Sequence, residues 1–269
     1  MGCSKQSEEN IETVGVTFTD DLGREVMVDN PQKVATLLGS FADMWFLAGG
    51  TVIASADDAW DNFHLDMPEE AVNLGKTKSL NLEKLLSIGP DFVIASTNTK
   101  INLEWRETLE NVGIPTAYFD VSDFDDYLRV LKICTDITGR EDLYEKNGLS
   151  VQKQIEDIIK SSKERVEREG APKVLSLRVS AASVLGEMLK KLGCINIADD
   201  DETLLENINI EHILEQDPDY IFYVQHGDDK EAAEEHINTF LKENPAWQEL
   251  TAVKEGRVYS MDKELYNLK

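Results

Sequence analysis

One segment of this chain occurs twice, and the repeat constrains the fold more than any other feature. The first copy covers residues 81–94 and reads NLEKLLSIGPDFVI, and the second covers residues 209–222 and reads NIEHILEQDPDYIF. Asn, Glu, Pro and Asp hold the same positions in both copies, and the apolar positions match. Each copy predicts a short helix that begins at a capping Asn and stops at Pro, followed by a buried strand. The chain is therefore expected to contain two similar α/β lobes.

The rest of the chain alternates strand and helix patterns, which is typical of parallel sheets with helices on both faces. A short hairpin is predicted over residues 16–28, ahead of this alternation. The first lobe is predicted to have strands at 34–38, 52–55, 92–96 and 116–120, and helices at 42–48, 82–87, 103–112 and 124–138. The second lobe is predicted to have strands at 174–177, 220–224 and 257–261, and helices at 184–192, 210–215, 231–242 and 245–250.

The segment from Arg140 to Glu169 separates the two lobes in sequence. It has no Pro and a single Gly, Gly148, and its apolar residues stand at helical spacing. This pattern predicts one long helix. The predicted fold class is therefore α/β, with two doubly wound α/β lobes joined by one long α-helix and a ligand cleft between the lobes. The predicted domains are a tether at 1–12, a first lobe at 13–139, the linker helix at 140–169 and a second lobe at 170–269.

The charge of the chain excludes some classes of partner. Its 269 residues include 52 Asp and Glu against 27 Lys and Arg, which gives a net charge of −25. Such a surface repels nucleic acid and anionic lipid headgroups, so no nucleic-acid partner is expected. The sequence has no nucleotide-binding loop and no nucleophile elbow. An enzyme is therefore not expected, although a catalytic dyad built on His64 or His226 stays open.

Metal chemistry has little support in the sequence. Cys134 and Cys194 lie in apolar helical surroundings and are predicted to be buried free thiols. No Cys-x-x-Cys and no zinc-ligand spacing occurs, so neither a metal site nor a cofactor is assigned. A bare zinc or manganese site remains an alternative, and it would draw on His64, His212, His226 and His236.

Open parallel sheets bind ligands beyond the carboxyl ends of their strands. The loops at those ends supply eight candidate ligand-binding residues: Ser40, Phe41, Trp60, Asn98, Lys100, Arg178, His226 and Tyr266. Arg178 is the strongest, because it is a cation placed directly after a buried strand in a very acidic chain. The alternatives are structural: a salt bridge for Arg178, burial against its own lobe for Trp60, and plain surface exposure for His226. Trp45 stands at helical spacing from Phe41 and is predicted to lie in the core.

Several stretches of sequence together indicate a family. They are FTDDLGREV at 18–26, LGSFADMW at 38–45, NPAW at 244–247 and AVKEGRVY at 252–259, in addition to the two copies of the repeat. In this order they make the chain resemble the helical-backbone, or class III, substrate-binding proteins of bacterial ABC importers, and within them the iron-complex subgroup. The resemblance covers nearly the whole chain. One departure is the short segment 179–183, where the subgroup has a longer pocket loop.

The resemblance implies a binding protein without enzymatic activity. Its expected ligand is a ferric siderophore or a similar iron chelate, which it would deliver to the permease dimer of an ABC importer; haem or cobalamin is the alternative ligand. The resemblance also implies that Glu83 and Glu211 lie on the outer lobe surfaces and pair with basic residues of the permease. The alternative for these two residues is structural, because the helix dipole favours Glu in a first turn.

The first residues are similar to the start of a mature bacterial lipoprotein. Cys3 follows a small residue and precedes a polar stretch, so it is predicted to carry the lipid, with residues 1–12 as a flexible tether. An ordinary N-terminal cysteine is the alternative. The expected location is the outer face of the cytoplasmic membrane, with the lipid anchor as the only membrane contact.

Overall fold

The computed structural model describes residues 15–176, 184–198, 210–224 and 245–261. The chain divides into two compact units, with the boundary between Val151 and Gln152. The predicted helix at 231–242 lies outside the described residues. So do five residues that the sequence singled out: Cys3, Arg178, His226, His236 and Tyr266.

The first unit begins with an antiparallel hairpin and continues as a parallel sheet. In the hairpin, β1 (Val16–Thr19) pairs with β2 (Glu25–Val28), as the sequence predicted. The parallel strands are β3 (Val34–Thr36), β4 (Ala54–Ser55), β5 (Val72–Asn73), β6 (Phe92–Ser96) and β7 (Thr116–Phe119). They lie in the order β5-β4-β3-β6-β7 across the sheet. The sheet grows first to one side of β3 and then to the other, which makes it doubly wound.

Helices connect the strands of the first unit. They are α1 (Gly39–Leu47), α2 (Asp58–Asp61), α3 (Leu82–Ile88), α4 (Lys100–Glu104), α5 (Arg106–Asn111) and α6 (Phe124–Thr138). Alternate side chains of the strands belong to two different hydrophobic clusters. One cluster contains Val34, Phe92, Ile94 and Phe119, and the other contains Ala35, Val93, Ala95 and Tyr118. The sheet is therefore covered on both faces, which confirms the predicted architecture.

Asp20 and Arg24 attach the hairpin to the sheet. The Asp20 carboxylate is buried and accepts backbone N–H hydrogen bonds from Leu22, Arg24 and Tyr118, while it also pairs with the Arg24 guanidinium. Arg24 in turn donates to the Thr116 carbonyl at 2.8 Å, and its guanidinium lies 4.8 Å from the centre of the Tyr118 ring. These contacts place the hairpin against the free edge of β7, where an unpaired strand would otherwise be exposed.

The second unit repeats this strand order. Its strands are β8 (Lys173–Ser176), β9 (Ile195–Asn196), β10 (Tyr220–Val224) and β11 (Val258–Met261), all parallel, in the order β11-β10-β8-β9. The described helices are α9 (Val184–Lys191), α10 (Ile210–Gln216), a 3₁₀ helix (Pro245–Glu249) and α11 (Thr251–Lys254). The order matches β7-β6-β3-β4 of the first unit, so the two units are similar α/β lobes, as the repeat predicted.

The Pro-Asp pair of the repeat aligns neighbouring strands in both units. In the first copy, the Asp91 carboxylate accepts the backbone N–H groups of Gln32 and Lys33, each at 2.8 Å, at the start of β3. In the second copy, the Asp219 carboxylate accepts the Lys173 N–H at 2.8 Å, at the start of β8. Strand alignment thus explains the Asp of each copy.

Residues 141–169 are helical throughout. They form α7 (Glu141–Tyr144), a π-helical turn (Glu145–Leu149) and α8 (Ser150–Glu169). Asn147 in the π turn donates from Nδ2 to the Leu47 carbonyl at 2.7 Å, and its own carbonyl accepts the Tyr127 hydroxyl at 3.1 Å. The first part of this helical segment therefore packs on the first unit. Its role as a linker and the predicted domain limits stay predictions.

Several element predictions were wrong in detail. The helix predicted at 103–112 is two helices that meet at Trp105, whose N–H donates to the Asn102 carbonyl three residues back rather than four. The helix predicted at 42–48 begins earlier, at Gly39, where a side chain from another helix satisfies its first turn. The two-residue strands β5 and β9 were missed, since two residues carry no alternation pattern.

Candidate ligand-binding site

The first unit has its topological switch point between β3 and β6. These strands are neighbours, yet the chain leaves β3 toward β4 on one side and leaves β6 toward β7 on the other. Connections that diverge in this way open a crevice at the carboxyl ends of the two strands. Ser40 follows β3, and Asn98 and Lys100 follow β6. The structure therefore brings three of the predicted residues to one edge of the sheet.

The start of α1 is fixed by a residue from α2. Leu38, at the N-cap of α1, makes no side-chain capping bond, and the Gly39 N–H instead donates to Asp58 Oδ1 at 2.9 Å. Burial raises the pKa of the Asp58 carboxyl, and the bond from Gly39 opposes that rise. A Cβ at Gly39 would lie 2.6 Å from the Ala59 nitrogen, so only glycine allows this approach. Ser40, partly exposed in the first turn, is presented by this arrangement.

Trp60 lies in α2 rather than in the polar loop that the sequence predicted. Its indole is partly buried and packs against the hydrophobic cluster that contains Phe41 and Phe119. The Trp60 carbonyl lies 3.1 Å from Nδ1 of His64. Part of the indole is thus buried within its own lobe, and the rest is exposed.

Asn98 is held at both its main chain and its side chain. Its N–H donates to Ser96 Oγ at 3.0 Å, and its Nδ2 donates to Asp120 Oδ1 at 2.6 Å. Lys100, two residues later, is exposed, and its Nζ lies 3.4 Å from a Glu104 carboxylate oxygen. Asn98 is therefore a fixed polar group, whereas Lys100 is a cation that can move.

Phe41 occupies a different place from the one predicted. It is 4% exposed, and its ring meets the Phe119 ring edge-on with 6.3 Å between the ring centres. Phe41 therefore supports the site from the core and does not present its face at the sheet edge. Trp45 is also buried, and its Nε1 donates to the Thr51 carbonyl at 2.9 Å, which confirms its predicted core position.

A partly buried carboxylate lies one turn after Ser40 on α1. Burial raises the pKa of Asp43, and no hydrogen bond or ion pair reaches its carboxylate from the described part of the chain. Burial also raises the pKa of Tyr127 on α6, and the Asp43 charge adds to that rise. Neither pKa shift could be predicted from the sequence, because both depend on how α1 packs against α6.

The second unit has the equivalent switch point between β8 and β10. In sequence, Arg178 comes soon after β8 and His226 soon after β10, which are the two strands that flank this point. Neither residue belongs to the described part of the chain, nor does Tyr266. Their roles in ligand binding stay predictions.

Glu83 and Glu211 occupy matching positions in the two units. Glu83 lies in the first turn of α3 and Glu211 in the first turn of α10, and both side chains are exposed. The N-cap residue Asn81 accepts the Lys84 N–H through its side chain at 2.9 Å, so capping of α3 does not require Glu83. Each helix leads into a parallel strand, which places each Glu near the carboxyl edge of its own sheet.

The same described ranges contain two cysteines and no cluster of metal ligands. Cys134 is a buried free cysteine whose pKa burial raises to about 12, and Cys194 is a partly buried one, in line with the sequence. No group of three or more His, Cys, Asp and Glu side chains in these ranges is arranged to hold a metal ion. None of the helices in these ranges combines the length and apolarity of a membrane span.

Comparison with known proteins supports one family across most of the chain. Among curated relatives, the Fe(3+)-citrate-binding protein YfmC of Bacillus subtilis is 24% identical over 92% of this chain and 78% of its own length. The iron-uptake system-binding protein of the same species is 29% identical over 86% of this chain and 67% of its own length. Both are named as binding proteins rather than as enzymes.

Solved structures agree on the fold. The crystal structure of a periplasmic solute binding protein from Veillonella parvula superposes with a TM-score of 0.70 at 21% identity, and covers 91% of this chain and 78% of that one. The family model described as periplasmic binding protein matches residues 34–265. This chain belongs to the periplasmic binding protein family, as the resemblance in its sequence indicated.

Proposed function

We propose that this protein captures a ferric siderophore or a similar iron chelate outside the cytoplasmic membrane and delivers it to an ABC importer permease. The observation that carries the proposal is the relationship to iron-handling binding proteins over 86–92% of the chain. The fold is consistent with this role, because each unit has a switch point at which a parallel sheet can hold a ligand. The protein would bind the chelate and release it to the permease, without covalent chemistry.

Two kinds of group at the first switch point suit a chelate. Ser40 and Asn98 provide neutral hydrogen-bonding groups, and Lys100 provides a cation for an anionic oxygen. Trp60 adds apolar surface for the body of a bulky ligand. We propose that Arg178, His226 and Tyr266 bind ligand in the second lobe, Arg178 by pairing with negative charge on the chelate.

The two exposed glutamates suit a docking role. We propose that Glu83 and Glu211 contact basic residues of the permease, one from each lobe, which matches a permease made of two subunits. The support is their equivalent exposed positions. Reversal of both charges, Glu83→Lys with Glu211→Lys, should abolish uptake of the radiolabelled iron chelate and leave its affinity unchanged. Glu107→Lys on α5, also an exposed first-turn glutamate, is the matched control. Normal uptake by the double variant would contradict docking.

The predicted lipid anchor belongs to the same proposal. A binding protein that works outside the membrane must stay near its permease, and a lipid on Cys3 would hold it there through the tether at 1–12. The family description, periplasmic binding protein, supports a location outside the cytoplasm. Mass spectrometry of the protein isolated from membranes tests the anchor. A lipidated protein should carry the additional mass of a diacylglyceryl group on Cys3, and the Cys3→Ala variant should lack this mass.

A titration tests the ligand. We propose to follow tryptophan fluorescence while adding ferric citrate, a ferric tris-catecholate, ferric Desferal, haem, cobalamin, zinc or manganese. At least one ferric chelate should bind with a dissociation constant of about 1 μM or below, which corresponds to about −8 kcal/mol. Binding of haem alone would favour the alternative ligand. Binding of the bare ions alone would contradict the proposal.

A further inference from the structure

Asn98 is the most firmly held polar side chain among the predicted ligand residues of the described part of the chain. Its main chain is fixed by Ser96, whose hydroxyl accepts the Asn98 N–H at 3.0 Å. Ser96 is itself 5% exposed, and its N–H donates to the buried Asn102 side chain at 2.9 Å. The side chain of Asn98 is fixed separately, by Asp120 at the end of β7.

Asp120 is held in place by its main chain. Its N–H donates to the Asp21 carboxylate at 2.6 Å, and its carbonyl accepts an Arg129 guanidinium N–H at 3.1 Å. Arg129 also pairs with Asp21 at 3.0 Å, so the hairpin, β7 and α6 meet at this residue. Only the side chain of Asp120 remains for other contacts, and its Oδ1 accepts from Asn98 and from the Ser122 hydroxyl.

The chemistry of this contact decides which way the Asn98 amide faces. An ionised carboxylate can only accept hydrogen bonds, so the group that meets Asp120 must be the NH₂ of Asn98 and not its oxygen. The amide oxygen then points away from Asp120. No donor from the described part of the chain reaches this Oδ1. Asn98 is exposed just after the carboxyl end of β6, so its free oxygen is open at the edge where open parallel sheets bind ligands.

We infer that Asp120 is a positioning residue that makes Asn98 a fixed hydrogen-bond acceptor in the ligand site. This inference rests on the proposed function and narrows its ligand class. The site selects chelates that carry N–H or O–H donors on their rim, such as amide-linked tris-catecholates and hydroxamates. Haem, whose rim carries carboxylates, gains nothing from such an acceptor.

Substitution of Asp120 separates positioning from general stability. Asp120→Ala removes the acceptor but keeps the main-chain bonds to Asp21 and Arg129, so the loop stays in place. Asp120→Glu keeps an acceptor-only carboxylate and is the conservative variant. Asp91→Ala is the matched control, because Asp91 also accepts two hydrogen bonds but lies at the amino end of β6. Affinities are measured for a ferric tris-catecholate, ferric Desferal and haem, together with each variant's unfolding midpoint in urea.

Asp120→Ala should weaken binding of the donor-carrying chelates by about 10-fold, the usual effect of one hydrogen bond worth about 1.4 kcal/mol. Asp120→Glu should stay within about 3-fold of the wild type, and Asp91→Ala should lower the urea midpoint without changing affinity. Equal affinity in Asp120→Ala and the wild type would overturn the inference. Equal weakening by Asp91→Ala would overturn it as well, since the effect would then follow stability.

A ligand-free measurement keeps the inference separate from the proposed function. The side-chain NH₂ signals of Asn98 can be assigned in nitrogen-15 NMR spectra by their loss in Asn98→Ala. In the wild type and in Asp120→Glu, one of these protons should exchange slowly with water, and in Asp120→Ala both should exchange fast. Fast exchange in the wild type would overturn the fixed orientation. If the wild type binds none of the chelates, the proposed function falls and this spectrum alone decides the orientation.

Discussion

Gly39→Ala is expected to disturb the fold and the ligand site together. The added Cβ would lie 2.6 Å from the Ala59 nitrogen, 2.8 Å from the Ala59 Cα and 2.8 Å from the Phe63 ring. Ordinary contact begins at 3.4 Å, and two of these atoms are backbone, so α1 and α2 must move apart. Overpacking of this kind costs about 1–3 kcal/mol.

The separation also weakens the bond from the Gly39 N–H to Asp58. A hydrogen bond to a charged group is worth about 1.5–3 kcal/mol, whereas the better helix propensity of alanine returns about 1 kcal/mol at most. We therefore expect the free energy of unfolding to fall by about 2–4 kcal/mol. Ser40 moves with the start of α1, so affinity for the iron chelate should fall by about 10-fold or more.

Urea unfolding and fluorescence titration measure the two effects. Gly23→Ala is the control: Gly23 has a φ of 75°, and a Cβ there would meet nothing within 4 Å. It should cost about 1–2 kcal/mol through the left-handed backbone alone, with no change in affinity. If Gly39→Ala has the same urea midpoint of unfolding as the wild type, α1 and α2 do not approach as closely as described. If both glycine variants lose affinity alike, Gly39 has no special connection to the site.

Two further sets of substitutions test the packing of the lobes. Asp43→Asn should raise stability near neutral pH, because it removes a partly buried charge. Since folding raises the pKa of Asp43, the penalty is absent below the unfolded pKa and grows as pH rises through the folded value. The gain should therefore shrink in urea melts toward pH 3, and a gain independent of pH would contradict this cause. Asp91→Ala should cost about 1–3 kcal/mol by leaving two N–H groups unpaired, and Asp219→Ala should cost less, because it leaves one. Equal costs in the two variants would argue against the hydrogen-bond account.

The repeat made the lobes predictable because its residues act locally. The Asn81 side chain caps α3 by accepting the N–H of Lys84, only three residues later. The strand predicted after Pro90 is β6, and it covers the predicted range, Phe92–Ser96. Helix α6 likewise begins and ends where its pattern predicted, between the capping Asp123 and the left-handed Gly139. Signals of this kind operate over a few residues and can be identified in one sequence.

The site was less predictable because its key contacts join residues far apart in the chain. Asp58 satisfies the start of α1 across 19 residues, and Asp120 orients Asn98 across 22. Neither pairing leaves a local pattern. Phe41 shows the opposite error: it follows a strand end, as a ligand residue would, yet the helix that begins at Gly39 turns its ring into the core.

Calorimetry with one chelator in two forms tests the central claim most directly. The chelator that binds best in the fluorescence titration is added once loaded with ferric iron and once free of metal, to the same protein preparation. Capture of an intact ferric chelate predicts that the iron-loaded form binds at least about 100-fold more tightly, a difference of about 2.7 kcal/mol. Equal binding of the two forms, or no binding of the iron-loaded form to folded protein, would contradict it.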